Sequence, residues 1–136
     1  MAGQAAGGAT VIGAIIYQAL ASNSAVAALV GTRIYPEVAP DEADLPLVVY
    51  TVRTGEGLDG SAPMVRCNVT ANCYAATDAS AESVGAAVRA VLDGFDGSGS
   101  GVAARSLSLS DYSEFRDPEM ALWGRLATFA GWIVNG

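Results

Sequence analysis

A strand followed directly by a helix is the feature that most constrains the fold of this chain. From Val65 to Tyr74, small or apolar side chains alternate with polar ones, which predicts a half-buried β-strand. After a turn at Ala75 to Asp78, apolar residues recur at steps of three and four up to Asp93, as on one stripe of a helix. Because a helix that folds back over the dry face of a strand forms two layers, we predict a two-layer α+β fold. Its sheet is expected to be mostly antiparallel, with four to five strands and with helices packed on one face.

The length of the chain favours one domain. With 136 residues it can bury one core but not two comfortable ones. Residues 1–10 are small, glycine-rich and without periodicity, so we predict a flexible N-terminal tail ahead of a single domain at residues 11–136. That domain is predicted to begin with a helix capped by Thr10 and a second helix, Ala25 to Val30, which ends at Gly31.

Four further segments have the composition of strands. They are Thr32 to Tyr35, Leu47 to Arg53, Val102 to Leu109 and Leu122 to Val134. Between them, the alternating glycine and serine of Gly97 to Gly101 are typical of a flexible linker, and the charged residues 111–119 are interpreted as a connection.

The last predicted strand is apolar on both of its faces. One alternating set contains Trp123, Phe129 and Ile133. The other set contains Leu122, Leu126, Trp132 and Val134. Since the helices of so small a domain can cover one side of the sheet, we expect the other side to meet another subunit.

The connection from Thr54 to Pro63 is too long for a tight hairpin turn and carries three glycines. Contact with a partner and simple mobility are both open interpretations of this arm, because ordered domains seldom keep such loops without a use. The candidate interface residues are therefore Gly55, Glu56, Gly57, Leu58, Asp59, Trp123, Phe129 and Trp132.

Composition excludes several kinds of chemistry. The chain has no histidine, so imidazole-based catalysis and zinc sites that use imidazole are excluded. Cys67 and Cys73 lie roughly 20 Å apart along the predicted strand, which is too far for a disulfide, and are interpreted as thiols of the core. We expect no enzyme activity, no cofactor and no metal.

Charge and hydropathy restrict the partners further. The net charge is -7 and all seven basic residues are arginines without a basic run, so binding of nucleic acid through phosphates is not expected. No apolar run approaches the roughly 18 residues of a membrane helix, and the first residues lack the positive start of a signal peptide. We expect a soluble protein that is made inside a cell and does not bind a membrane.

Four acids without a base follow the first predicted strand. They are Glu37, Asp41, Glu42 and Asp44. They lack the alternating spacing and the central glycine of a calcium loop, so a solvated loop is the simplest interpretation.

Several segments together resemble the tail completion, or tail terminator, family of long-tailed bacteriophages. The similar stretches are Ala25 to Pro36, Leu45 to Tyr50, Asn72 to Thr77, Ala87 to Gly94 and Arg125 to Trp132. The resemblance implies a non-enzymatic virion protein that caps the completed tail tube as a ring, usually of six, and joins it to the head. It also implies assembly in the host cytoplasm and a final place at the head-proximal end of the tail.

The implied partners are other copies of the chain, the tail tube protein and the head-tail connector or stopper protein, with the tape measure protein as a further candidate. DNA would pass through the ring without specific binding, and the four loop acids are the candidates for lining the channel. Two alternatives remain open: a neighbouring head-completion or stopper protein of the same particle, and a small ligand-binding or regulatory α+β domain with an enclosed pocket.

Overall fold

The computed structural model of the chain describes residues 2–55, 64–99 and 101–135. These residues form three helices, α1 (Ala2–Ala21), α2 (Ser24–Val30) and α3 (Asp78–Leu92). They also form six strands, β1 (Ile34–Pro36), β2 (Leu47–Thr54), β3 (Met64–Ala75), β4 (Phe95–Gly99), β5 (Val102–Asp117) and β6 (Leu122–Asn135). The strands make one sheet in the order β1-β2-β3-β6-β5-β4, in which only the β1–β2 pair is parallel.

The predicted strand and helix at the centre of the sequence are confirmed. In β3 the odd-numbered side chains from Val65 to Ala75 are buried, whereas the even-numbered ones are exposed or half-buried. The Thr77 side chain caps α3 by accepting a hydrogen bond from the Ser80 N–H at 3.1 Å. At the other end, Gly94 takes a φ of +83°, a conformation that glycine adopts without the strain of a side chain.

The first two helices are separated by a short break at Ser22 and Asn23. The Asn23 side chain accepts hydrogen bonds from the N–H groups of Ala25 and Val26, and Gly31 ends α2 with a φ of +60°. Helix α1 begins at Ala2, ahead of the predicted cap at Thr10. Alanine, which has the highest helix propensity, is frequent in this first stretch. The mobility expected of residues 1–10 stays a prediction.

The sheet has more strands than the four to five that we predicted. Phe95–Gly99, which overlaps the predicted linker, is strand β4 and pairs with the first part of β5. The carboxylate of Asp96 accepts a hydrogen bond from the Ser106 N–H at 2.8 Å, and that of Asp93 accepts one from the Leu109 N–H at 2.9 Å. Pairing with β5 therefore outweighs the weak strand propensity of glycine and serine.

The predicted connection at residues 111–119 is also largely strand. β5 continues to Asp117 and pairs with β6 as far as Leu122. Its polar sequence is compatible with a strand because β6 supplies a complete ladder of backbone partners on one side. The formation of such a strand depends more on pairing with a neighbouring strand than on its own composition.

All three helices lie on one side of the sheet, as predicted. We call this side the covered face; it holds the core, in which α3 packs on β3 and β6 and α1 packs on β1, β2, β4 and β5. The core residues of the helices include Ile12, Ile16, Leu20, Val84, Val88 and Leu92. The opposite side, which no described helix covers, is called the open face.

No single helix in the described part of the chain is long and apolar enough to cross a membrane. Val11–Ala21 and Ser24–Val30 reach the necessary length and composition only as a pair, and this pair is bent by 85°.

Candidate functional site

The open face of the sheet combines apolar and small polar side chains. On β6 the even-numbered residues Leu126, Thr128, Ala130 and Val134 are half-buried, and Trp132 is 37% exposed. The odd-numbered residues Ala127, Phe129 and Ile133 of β6, by contrast, belong to the core on the covered face. The two apolar sets of this strand are therefore separated onto the two faces, and one of them remains accessible.

One end of the open face carries an aromatic ring between two cations. In the strand register, Trp132 lies opposite Arg66 on one side and Arg105 on the other. The guanidinium carbon of Arg66 lies 5.3 Å from the centroid of the Trp132 ring, within the range of a cation–π contact. Both arginines are exposed. We call these three residues the tryptophan patch.

The opposite end of the open face forms a hollow of about 570 Å³. The loop that follows β1 folds over this end, which buries Leu47 and Val49 and leaves Val38 75% exposed. Met120, 66% exposed, contributes from the turn between β5 and β6. The walls are completed by Ala39, Pro40, Ala43, Leu45, Asn72, Tyr74 and Leu122, and by the acids Glu37, Asp41 and Asp117. We call this the acidic hollow.

The four predicted channel acids do not share one environment. Glu37 forms an ion pair with Arg53 at 3.0 Å, and its hydrogen bond raises the pKa of the guanidinium. Asp41 lines the acidic hollow, whereas Glu42 and Asp44 are exposed elsewhere on the same loop. Whether any of them faces a channel stays a prediction.

The candidate interface residues are also distributed over different places. Glu56, Gly57, Leu58 and Asp59 lie outside the described residues. Gly55 donates its N–H to the Arg66 carbonyl oxygen at 2.9 Å and so extends the pairing of β2 with β3.

The three aromatic candidates separate onto the two faces. Phe129 is fully buried in the core, and Trp123 is half-buried with the guanidinium of Arg116 at 4.5 Å from its ring centroid. Of the three, Trp132 lies on the open face.

A buried ion-pair cluster joins α3 to the sheet, and the sequence analysis missed it. The Arg125 side chain, only 3% exposed, donates to the carboxylate of Asp78 at 2.8 Å and to that of Glu82 at 3.1 Å. It also donates to the Gly124 carbonyl oxygen at 3.1 Å, and Glu114 lies 3.5 Å away. Two sequence signals could have revealed this cluster. One is an arginine among the residues of β6 that face the core, and the other is a pair of acids four residues apart on α3.

The charge of Arg125 is maintained by these acids. Burial alone would lower the pKa of the guanidinium, but the hydrogen bonds that it donates to Asp78 and Glu82 outweigh this effect, so the pKa is raised. The cluster therefore remains an ion pair and serves to fix the start of α3 on β6.

A close approach of α3 to β5 depends on Gly85. A methyl group added at Gly85 would collide with the Tyr112 hydroxyl group and would lie 3.0 Å from the Arg125 side chain. Arg89, four residues further along α3, lies 4.1 Å above the Tyr112 ring and 3.7 Å from Glu82. The small residue thus lets the aromatic ring pack between the helix and the sheet.

Both cysteine thiols lie in the core, as predicted. Burial raises the pKa of Cys67 to about 11 and that of Cys73 to about 12, and the two are not bonded to each other. Because the thiolate is the reactive form, neither thiol has nucleophilic character near neutral pH. Their environment fits a packing role.

Two comparisons with known proteins give matches to this chain. A family model described as tail completion protein gp17 matches residues 14–133. A chain from the virion of a native gene transfer agent particle has the same fold, with a TM-score of 0.76 and 24% sequence identity over 93% of this chain and 98% of that chain. A comparison with curated proteins gives no match. Since the family model spans most of the sequence, the chain belongs to the tail completion protein gp17 family, a family of structural virion proteins that are not enzymes.

Proposed function

We propose that this protein closes the completed tail tube as a ring of identical subunits, six in number, and provides the surface that joins the tail to the head. Family membership supports a structural role in the tail. The observation that supports self-association is the accessible open face, on which Trp132 and its apolar neighbours on β6 remain uncovered by the helices. Apolar side chains gathered on one uncovered sheet face are typical of an interaction surface.

The proposed ring lies at the head-proximal end of the tail and has two sets of neighbours. The tail tube protein contacts one side, and the head-tail connector or stopper protein contacts the other. The tape measure protein, which would end at the same level, is a further proposed partner. Assembly takes place in the host cytoplasm before the finished virion forms.

DNA passes through the proposed ring without specific binding. With a net charge of -7 on each chain, the assembly repels phosphates as a whole. We propose that Glu42 and Asp44, the exposed loop acids outside both the Arg53 ion pair and the acidic hollow, face the passing duplex. Replacing Asp44 with arginine should slow DNA ejection from normally assembled particles, and added salt should relieve this effect. Unchanged ejection rates would place Asp44 on the outer surface.

The direct test of the ring is to image the protein alone and on tails. We expect electron micrographs and native mass spectra of the full chain to show a six-membered ring with a central channel. Labelled protein should lie at the head-proximal end of the tails. Particles produced without the protein should have tails of abnormal length that do not join heads, and the added protein should restore joining. A protein that stays monomeric on capped tails would contradict the ring, and a label confined to the head would instead indicate a stopper protein.

A further inference from the structure

The two ends of the open face are complementary in shape and charge. The tryptophan patch offers an exposed aromatic ring between two cations, Arg66 and Arg105. Among the residues that the structure describes, neither of these arginines forms an ion pair. The acidic hollow at the other end offers apolar walls with Asp41 and Asp117 at its border. The patch therefore supplies an aromatic ring and positive charge, and the hollow supplies an apolar cavity and negative charge.

The patch and the hollow of one chain cannot meet each other. Arg66 of the patch and Asn72 of the hollow lie on the same strand, β3, and are separated by roughly 20 Å at the rise of an extended strand. The strand is held on both sides by β2 and β6, so this distance is fixed. Only a second molecule can bring a tryptophan patch to an acidic hollow.

We infer that the tryptophan patch of one copy of this chain packs into the acidic hollow of the next copy. This inference rests on the proposed ring and names the contact that would build it. A volume of about 570 Å³ is within the range that holds small-molecule ligands and is sufficient for an indole side chain. Tryptophan and arginine are the residues that most often dominate the energetics of interfaces. A contact between two different surfaces of the same chain is heterologous and closes into a ring when the rotation between subunits permits it.

The charges of the open face also argue against a nucleic acid as the partner that binds the tryptophan patch. Arg53, which lies on β2 opposite Asn68 of β3, is already paired with Glu37. The acidic hollow on the same face, like the net charge of -7, repels phosphates. The patch therefore fits a carboxylate-bordered apolar surface better than a phosphate backbone.

A charge-swap experiment with the full chain tests this contact. The double variants R66E/R105E and D41R/D117N reverse or reduce the charge of the patch and of the hollow, respectively. Asparagine at position 117 keeps the acceptor that bonds the N–H groups of Glu119 and Met120. Each variant alone should associate with itself at least about tenfold more weakly than the wild type, because like charges then face each other. An equimolar mixture should recover the ring with the two variants in alternation, since every contact again pairs opposite charges.

Matched controls separate this contact from general effects of charge and folding. R116E also removes an arginine from a tryptophan ring, but at Trp123 away from the patch, and should leave self-association within about twofold of the wild type. Trp132→Ala should weaken self-association without changing the thermal melt by more than a few degrees. Recovery in the mixture itself shows that both charge variants are folded.

Three results would overturn the inference. If both double variants form rings as the wild type does, the contact is wrong although the ring itself stands. If each loses the ring and the mixture does not recover it, the two surfaces do not bind each other. If R66E/R105E keeps the ring but loses retention on duplex DNA, the patch is a phosphate-binding surface. A wild-type protein that remains monomeric on capped tails would instead refute the proposed function.

Discussion

Removing the charge of Arg125, whose side chain is only 3% exposed, should destabilise the protein. Arg125→Met keeps much of the aliphatic stem but deletes the hydrogen bonds to Asp78, Glu82 and the Gly124 carbonyl oxygen. Each hydrogen bond to a charged group is worth about 1.5–3 kcal/mol, but the carboxylates are about half-exposed and recover part of this from water. We therefore expect a loss of about 2–3 kcal/mol, a large fraction of the stability of a typical domain.

Repulsion among the carboxylates that surround Arg125 distinguishes Arg125→Met from an ordinary polar-to-apolar exchange. Asp78, Glu82 and Glu114 all lie within 3.5 Å of the guanidinium, so its removal leaves three like charges around one site. Replacing a whole buried ion cluster with apolar residues is often neutral, whereas removing one partner is costly. For this reason the additional exchange Glu82→Gln should recover about 1 kcal/mol in the Arg125→Met background and cost stability in the wild type.

Denaturant titration followed by circular dichroism measures these differences. Arg116→Met is the matched control, because Arg116 is exposed beside Trp123 and its removal should cost less than about 1 kcal/mol. A loss below about 0.5 kcal/mol for Arg125→Met, or purely additive effects with Glu82→Gln, would refute the assignment of this cluster as the link between α3 and β6.

Three further predictions concern the core, the thiols and the arm. Val88→Asp should cost several kcal/mol because Val88 is fully buried, whereas Ala86→Asp, on the exposed side of the same helix, should cost less than about 1 kcal/mol; equal denaturation midpoints for the two would contradict this helix face. Because burial raises the pKa of Cys67 to about 11 and that of Cys73 to about 12, their contribution to stability is complete below the ordinary value of 9.0 and is lost as the pH rises through the raised values. Replacing both with alanine should flatten the alkaline decline of the free energy of unfolding, and an unchanged slope would exclude the thiols as its source. Shortening the Thr54 to Pro63 arm to a two-residue turn should preserve the monomer melt but abolish tail completion, and normal tails that join heads would show that the arm has no such role.

The central strand and helix could be predicted because their signals are local. The alternation from Val65 to Tyr74 and the helical stripe that follows are both properties of neighbouring residues. The caps at Asn23, Thr77 and Gly94 are local in the same way, since a short side chain or a glycine satisfies the helix end beside it. The family resemblance to tail completion proteins depends on the order of such segments, and the family match confirms it.

The features that the sequence analysis missed depend on pairing between residues that are far apart in the chain. Strand β4 and the second half of β5 have weak propensities of their own and exist because β5 pairs with both β4 and β6. The Arg125 cluster joins residues that are 43 and 47 positions apart, and the tryptophan patch is assembled from three strands. Composition and periodicity thus determined the α+β class and excluded imidazole-based chemistry, because these depend on residue type and local spacing. Only the tertiary structure decided which charges and aromatic rings meet, since strand order and register bring together residues that are distant in the chain.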